Sequence, residues 1–162
     1  PRIDFYLELG KTLSQDIEGV FLPMQLNLDD AQQVYLKKGT EAFRPGIDQL
    51  PGTCMEYYGT DDGLAFVTPK GSVLIACHDV PLIYMGEMRH HAVRLCDGSP
   101  ENNRRPIYSW VMNNIWETNF KMDLSGFAQY RYTLHLSEET NGEKAMSELT
   151  ERTFDPAALL IR

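Results

Sequence analysis

From Arg2 to Leu9 the chain alternates, with Ile3, Phe5, Leu7 and Leu9 on one side and Arg2, Asp4, Tyr6 and Glu8 on the other. Successive side chains of a strand point to opposite faces, so this predicts a half-buried β-strand. Phe127 to Leu136 repeats the pattern, with Ala128, Tyr130, Tyr132, Leu134 and Leu136 on one face. Glu18 to Leu26 is apolar but holds Pro23, which suits an edge or bent strand. Gln32 to Lys37, Pro81 to Met88 and Ile107 to Met112 are further strand candidates, the last ending at Asn113-Asn114. Leu64 to Thr68 and Ser72 to Cys77 flank Pro69-Lys70-Gly71 and read as a hairpin.

Breakers divide these runs. Arg44-Pro45-Gly46 and Leu50-Pro51-Gly52 bracket Asp48 and Gln49, which predicts a rigid, shaped loop over Phe43 to Gly52. Asp97 to Pro106 reads as a polar loop, and Asn141-Gly142 ends the last strand pattern. Glu143 to Arg152 is rich in helix formers, and Asp155-Pro156 suits the start of a further helical turn. About eight short strands and one helix, with turns at sandwich spacing, predict a mainly β, antiparallel β-sandwich. Residues 1–162 read as one such domain. The chain opens on Pro1 directly into a strand, without an initiator Met or signal peptide, as expected of a piece of a longer protein.

Charge narrows the function. Lys and Arg number 15 against 23 Asp and Glu, a net −8. Without a basic cluster, neither nucleic acid nor an anionic membrane surface is an expected partner. No apolar run approaches the ~20 residues of a membrane helix. The three cysteines, Cys54, Cys77 and Cys96, fit neither a disulfide framework nor a zinc motif, and free buried thiols point to the cytoplasm.

Phosphate loops and the nucleophile elbow are absent from the sequence. His90-His91 are neighbours, and in a strand neighbours diverge, so they do not chelate one ion. His78-Asp79 suits a strand end, and Asp29-Asp30, Asp61-Asp62 and Glu138-Glu139 suit solvated turns. Paired glycosidase carboxyls stand roughly 5–10 Å apart across a pocket, which adjacency in sequence does not supply. Two segments carry more polar and aromatic character than a core needs: Phe43 to Gly52 and Tyr108 to Phe120. Aromatic rings cover the C–H face of a sugar while amides and carboxylates hold its hydroxyls. The plainer account makes Trp110 and Trp116 core residues and the asparagines satisfiers of loop backbone.

The run Trp110-Val111-Met112-Asn113-Asn114-Ile115-Trp116-Glu117-Thr118-Asn119-Phe120 resembles a motif in the C-terminal β-domains of glycoside hydrolase family 38 α-mannosidases. Arg44-Pro45-Gly46-Ile47-Asp48-Gln49-Leu50-Pro51-Gly52 resembles a second, and order and spacing agree over roughly Arg2 to Leu136. The resemblance implies a supersandwich of galactose mutarotase type. It also implies a retaining α-mannosidase whose nucleophilic aspartate and metal ligands lie in a separate α/β-barrel. The chain then carries no catalytic or metal residue, and zinc or another divalent metal belongs to the barrel. The implied partners are that catalytic domain and a mannose-containing glycan. Candidate substrate-binding residues are Arg44, Asp48, Gln49, Asn113, Asn114, Trp116, Glu117 and Asn119. A freestanding carbohydrate-binding module and a protein-interaction domain are the alternatives.

Overall fold

The computed structural model describes residues 1–29, 32–88, 93–114 and 123–153. Among them are β1 (Arg2–Lys11), β2 (Gly19–Pro23), β3 (Gln33–Lys38), β4 (Glu41–Phe43), β5 (Tyr57–Gly59) and β6 (Gly63–Thr68). There follow β7 (Gly71–Cys77), β8 (Leu82–Met85), β9 (Ile107–Asn113), β10 (Gly126–Ser137) and α1 (Gly142–Thr153). The strands form two antiparallel sheets, ordered β1-β10-β7-β6-β3-β4 and β2-β9-β8-β5. The protein is a β-sandwich, as the strand pattern predicts. The three-residue strands β4 and β5 carry too few residues for a periodic signal, so the strand count exceeds the sequence estimate.

The sheets meet on their apolar faces. Val34, Leu36, Leu64, Phe66, Ile75 and Tyr132 of the large sheet pack against Ile83, Met85 and Ile107 of the small one. Ser109 of β9 and the Tyr132 hydroxyl share a hydrogen bond of 2.9 Å across this layer. Phe5 and Leu7 join the core, as the alternation of β1 requires. Ile3 and Leu136 share the inward parity, yet they are 59% and 49% exposed. They sit at the end of the β1–β10 ribbon, where only the middle of the strand pair meets the core.

The hairpin of β6 and β7 is buried on both faces, which explains its unbroken apolar run. Its second face carries Ala65, Val67, Leu74 and Ala76, covered by Ala145, Met146 and Leu149 of α1. Alanines at the contact let the helix lie close. The Asn141 side chain accepts the Lys144 N–H at 3.1 Å and caps α1, so the residue that ends the strand pattern starts the helix. Within the loop Asp97 to Pro106, Pro100–Arg104 forms a short 3-10 turn. No described helix is long and apolar enough to cross a membrane.

Candidate functional site

The proline-bracketed loop is built as a closed unit. The Asp48 carboxylate accepts from the Arg44 N–H at 2.9 Å, from its Nε at 2.8 Å and from its Nη2 at 2.7 Å. The Arg44 hydrogen bonds hold the Asp48 carboxyl below the usual aspartate value. Gln49 Oε1 accepts from the Gly46 N–H at 2.9 Å and the Tyr58 hydroxyl at 2.8 Å. Its Nε2 donates to Thr53 Oγ1 at 2.7 Å and to the Cys54 carbonyl at 3.0 Å. All four bonding directions of the Gln49 amide are thus committed, one to Gly46 within the loop and three to Thr53, Cys54 and Tyr58 just beyond it. Burial pushes the Tyr58 hydroxyl well above its ordinary value.

Two asparagines outside the loop hold it in place, and the sequence reading missed both. Asn102 Nδ2 donates to the Gly46 carbonyl at 3.0 Å. Asn103 Nδ2 donates to the Pro45 carbonyl at 3.1 Å and the Val34 carbonyl at 3.0 Å, while its Oδ1 accepts the Val34 N–H at 2.6 Å. Asn103 therefore bonds β3 at Val34, beyond the reach of short β4, as a longer neighbouring strand would. Gly46 has φ +77°, and a Cβ there would fall 2.5 Å from Asn102 Cβ. Only glycine fits this close, left-handed approach.

Asn113 and Asn114 lie at the opposite end of β9. Asn114 is buried, its Oδ1 accepting the Glu18 N–H and its Nδ2 donating to the Asp16 carbonyl at 2.7 Å. It fixes the entry to β2. Asn113 borders a cleft of about 490 Å³ lined also by Leu9, Trp110, Met112, Phe127 and Tyr130. Asn102 and Asn103 precede β9, so at about 3.3 Å per residue the two candidate segments stand roughly 20 Å apart. Arg44, Asp48 and Gln49 come together; Asn113 and Asn114 do not join them. Trp116, Glu117 and Asn119 lie outside the described residues, as do His90, His91 and the Asp155-Pro156 turn.

A different grouping comes from the pleat. Ile83, Met85 and Ile107 point inward, so Tyr84, Tyr108 and Trp110 point to the outer face of the small sheet. Phe21 of β2 stacks on Trp110 with ring centroids 5.3 Å apart. Tyr84 and Tyr57 meet Trp110 edge-on at 5.9 and 6.1 Å, and Tyr108 lies 6.3 Å from Phe21. One row of rings thus crosses all four strands. Trp110 and Tyr84 at its centre are 5% and 6% exposed, so the plainer account of Trp110 as a packed residue holds. Phe21 and Tyr108 are half-buried and Tyr57 is 36% exposed, which leaves these three at the surface.

The remaining sequence candidates are structural ties. His78 Nε2 meets Thr133 Oγ1 at 2.9 Å, and Asp79 takes a two-pronged ion pair from Arg131 at 2.8 and 3.0 Å. Both join the end of β7 to β10, so they are a strand-end feature. Asp62 accepts from the Thr150 hydroxyl of α1 at 2.6 Å. Among the described residues no group of three His, Cys, Asp or Glu side chains is placed to hold a metal ion.

Fold and geometry define the class: a two-sheet antiparallel sandwich with one helix-covered face and one aromatic face. No protein-family model, curated protein or solved structure matched the chain.

Proposed function

We propose that this chain is a non-catalytic β-domain of an α-mannosidase-like glycoside hydrolase, with Phe21, Tyr57 and Tyr108, the accessible rings of the aromatic row on its small sheet, as the contact surface. The observation that carries the reading is that row: buried Trp110 and Tyr84 hold Phe21, Tyr108 and Tyr57 side by side at the surface. A solvated sheet face ordinarily alternates to polar residues. An aromatic one suits a covering domain or a sugar. The resemblance of Arg44 to Gly52 and Trp110 to Phe120 supports the mannosidase parent, and the sandwich architecture agrees with it. The parent would hydrolyse α-mannosides through a carboxylate in its barrel. The rigid loop and the rings would shape the interface. A supersandwich of galactose mutarotase type and a cytoplasmic setting belong to the same proposal.

The test is the open reading frame around this segment, followed by calorimetry. A long upstream region rich in Asp and His supports the reading, and a start codon immediately before Pro1 defeats it. The chain alone should give no heat with α-mannobiose and no hydrolysis of an aryl α-mannoside. A second reading, a freestanding carbohydrate-binding module, is favoured by the 36% exposure of Tyr57 at the rim of the row. Binding heat abolished by Tyr57→Ala would select it.

A further inference from the structure

Among the described residues, four strands form the rims of the two sheets. A free strand edge invites pairing with another chain, and proteins guard edges by shortness, bulges or proline. Three of these rims are guarded. β4 and β5 have three residues each; β2 carries an irregularity between Val20 and Phe21 and ends at Pro23. β1 runs ten residues without proline or bulge, and among the described residues it pairs with β10 alone.

The hydrogen-bonding parity of β1 follows from two contacts. The Leu136 N–H donates to the Pro1 carbonyl at 3.3 Å, which makes that opposed pair a bonded one. Arg131, opposite Tyr6, instead gives its carbonyl to the His78 N–H at 3.1 Å on the far side of β10. Bonded and non-bonded pairs alternate along an antiparallel ladder. Ile3, Phe5, Leu7 and Leu9 therefore bond β10, and Arg2, Asp4, Tyr6 and Glu8 turn their main-chain groups outward.

We infer that β1 pairs antiparallel with β1 of a second copy of this chain, about a two-fold axis at Phe5, setting Arg2 of each copy opposite Glu8 of the other. Charge and overlap together select this register: an axis at Ile3 also opposes Arg2 to Asp4 but pairs only residues 1–5, and an axis at Leu7 opposes no opposite charges. An axis at Asp4 would oppose Asp4 to itself, and an axis at Tyr6 would oppose Asp4 to Glu8. Like charges directly opposite are unfavourable and opposite charges favourable. The Phe5 axis opposes Arg2 to Glu8 and Asp4 to Tyr6, twice each by symmetry. On the inner face it sets Ile3, 59% exposed in the single chain, beside Leu7, and Phe5 beside Phe5. The two large sheets become one continuous sheet. This pairing goes beyond the glycoside hydrolase reading and does not depend on it.

Sedimentation equilibrium of the chain at up to about 100 μM tests the pairing. A dimer is expected. Arg2→Glu alone and Glu8→Arg alone should each weaken it about tenfold, because each sets like charges opposite at both symmetric positions. The double variant restores opposite charges and should return the dimer to wild-type strength. Both side chains are exposed, and far-UV circular dichroism checks that the fold persists. A wild-type monomer, as when another strand of the same polypeptide or a peptide fills the edge, overturns the inference. So does a dimer indifferent to the charge reversals, which would lie on another surface.

Discussion

Replacing Asn103 by alanine should remove three hydrogen bonds in one step. Its amide accepts the Val34 N–H at 2.6 Å and donates to the carbonyls of Val34 at 3.0 Å and Pro45 at 3.1 Å. Val34 and Pro45 are both buried, so alanine leaves three main-chain groups without partners away from water. A hydrogen bond contributes about 1 kcal/mol net, and a stranded buried group costs about 1–3 kcal/mol. The loss should be about 3–5 kcal/mol. With a urea slope of about 2 kcal/mol per M, the unfolding midpoint should fall by about 1.5–2.5 M. Tryptophan fluorescence follows the transition, and hydrogen exchange at the Val34 amide reports the broken bond directly. A midpoint shift below about 0.5 M with unchanged slope, or a Val34 amide still protected as in the wild type, would refute the strand-substitute role. Asn103→Asp keeps the shape and one acceptor but loses both donors. Its buried carboxyl, facing two carbonyls, should have a raised value when folded. That variant should be least stable at neutral pH and recover toward acid, the reverse of the wild type.

In the wild type, Arg44 holds Asp48 and Arg131 holds Asp79 below the reference value of 3.8. The unfolded chain then takes up protons first as pH falls, so their stabilisation is complete above about pH 5 and is lost through 3.8 toward the lower folded values. Urea midpoints measured from pH 6 to pH 2.5 should show this loss, and Asp79→Asn should flatten it; an unchanged slope in that variant would refute the assignment. Gly46→Ala should destabilise by about 2 kcal/mol, because it adds a left-handed alanine to the contact with Asn102. A change under about 0.5 kcal/mol would mean the loop relaxes freely. Burial pushes the Cys77 thiol up to about 12, and Cys96 donates to the Gly46 carbonyl. A thiol reagent at pH 8 should label half-buried Cys54 first and Cys77 last by mass spectrometry; equal rates would show that the core opens.

Much of this fold follows from side-chain order alone. The alternation of Ile3, Phe5 and Leu7 with Asp4, Tyr6 and Glu8 sets a strand with one wet face. Leu64 to Thr68 and Ser72 to Cys77 about Pro69-Lys70-Gly71 set a hairpin, though not that α1 would cover its second face. Two Pro-Gly pairs make the loop from Arg44 to Gly52 rigid wherever it is placed, because proline fixes φ and glycine supplies the positive one. These are local properties, set by neighbours within a few residues. The assembly of the site is not local. Phe21, Tyr57, Tyr84, Tyr108 and Trp110 form one row only because β2, β9, β8 and β5 are neighbours in a sheet whose order departs from the chain. Asn103 bonds the stretch of β3 that β4 leaves uncovered from 69 residues away, a contact no spacing rule foretells. The same topology parts Asn113 and Asn114, at the end of β9, from the Asp48–Gln49 loop, which Asn102 and Asn103 hold near its start. It also leaves β1, fully patterned in the sequence, as the unguarded rim of the large sheet. Periodicity decides which face of a strand is apolar; only strand order decides what that face, or that edge, meets.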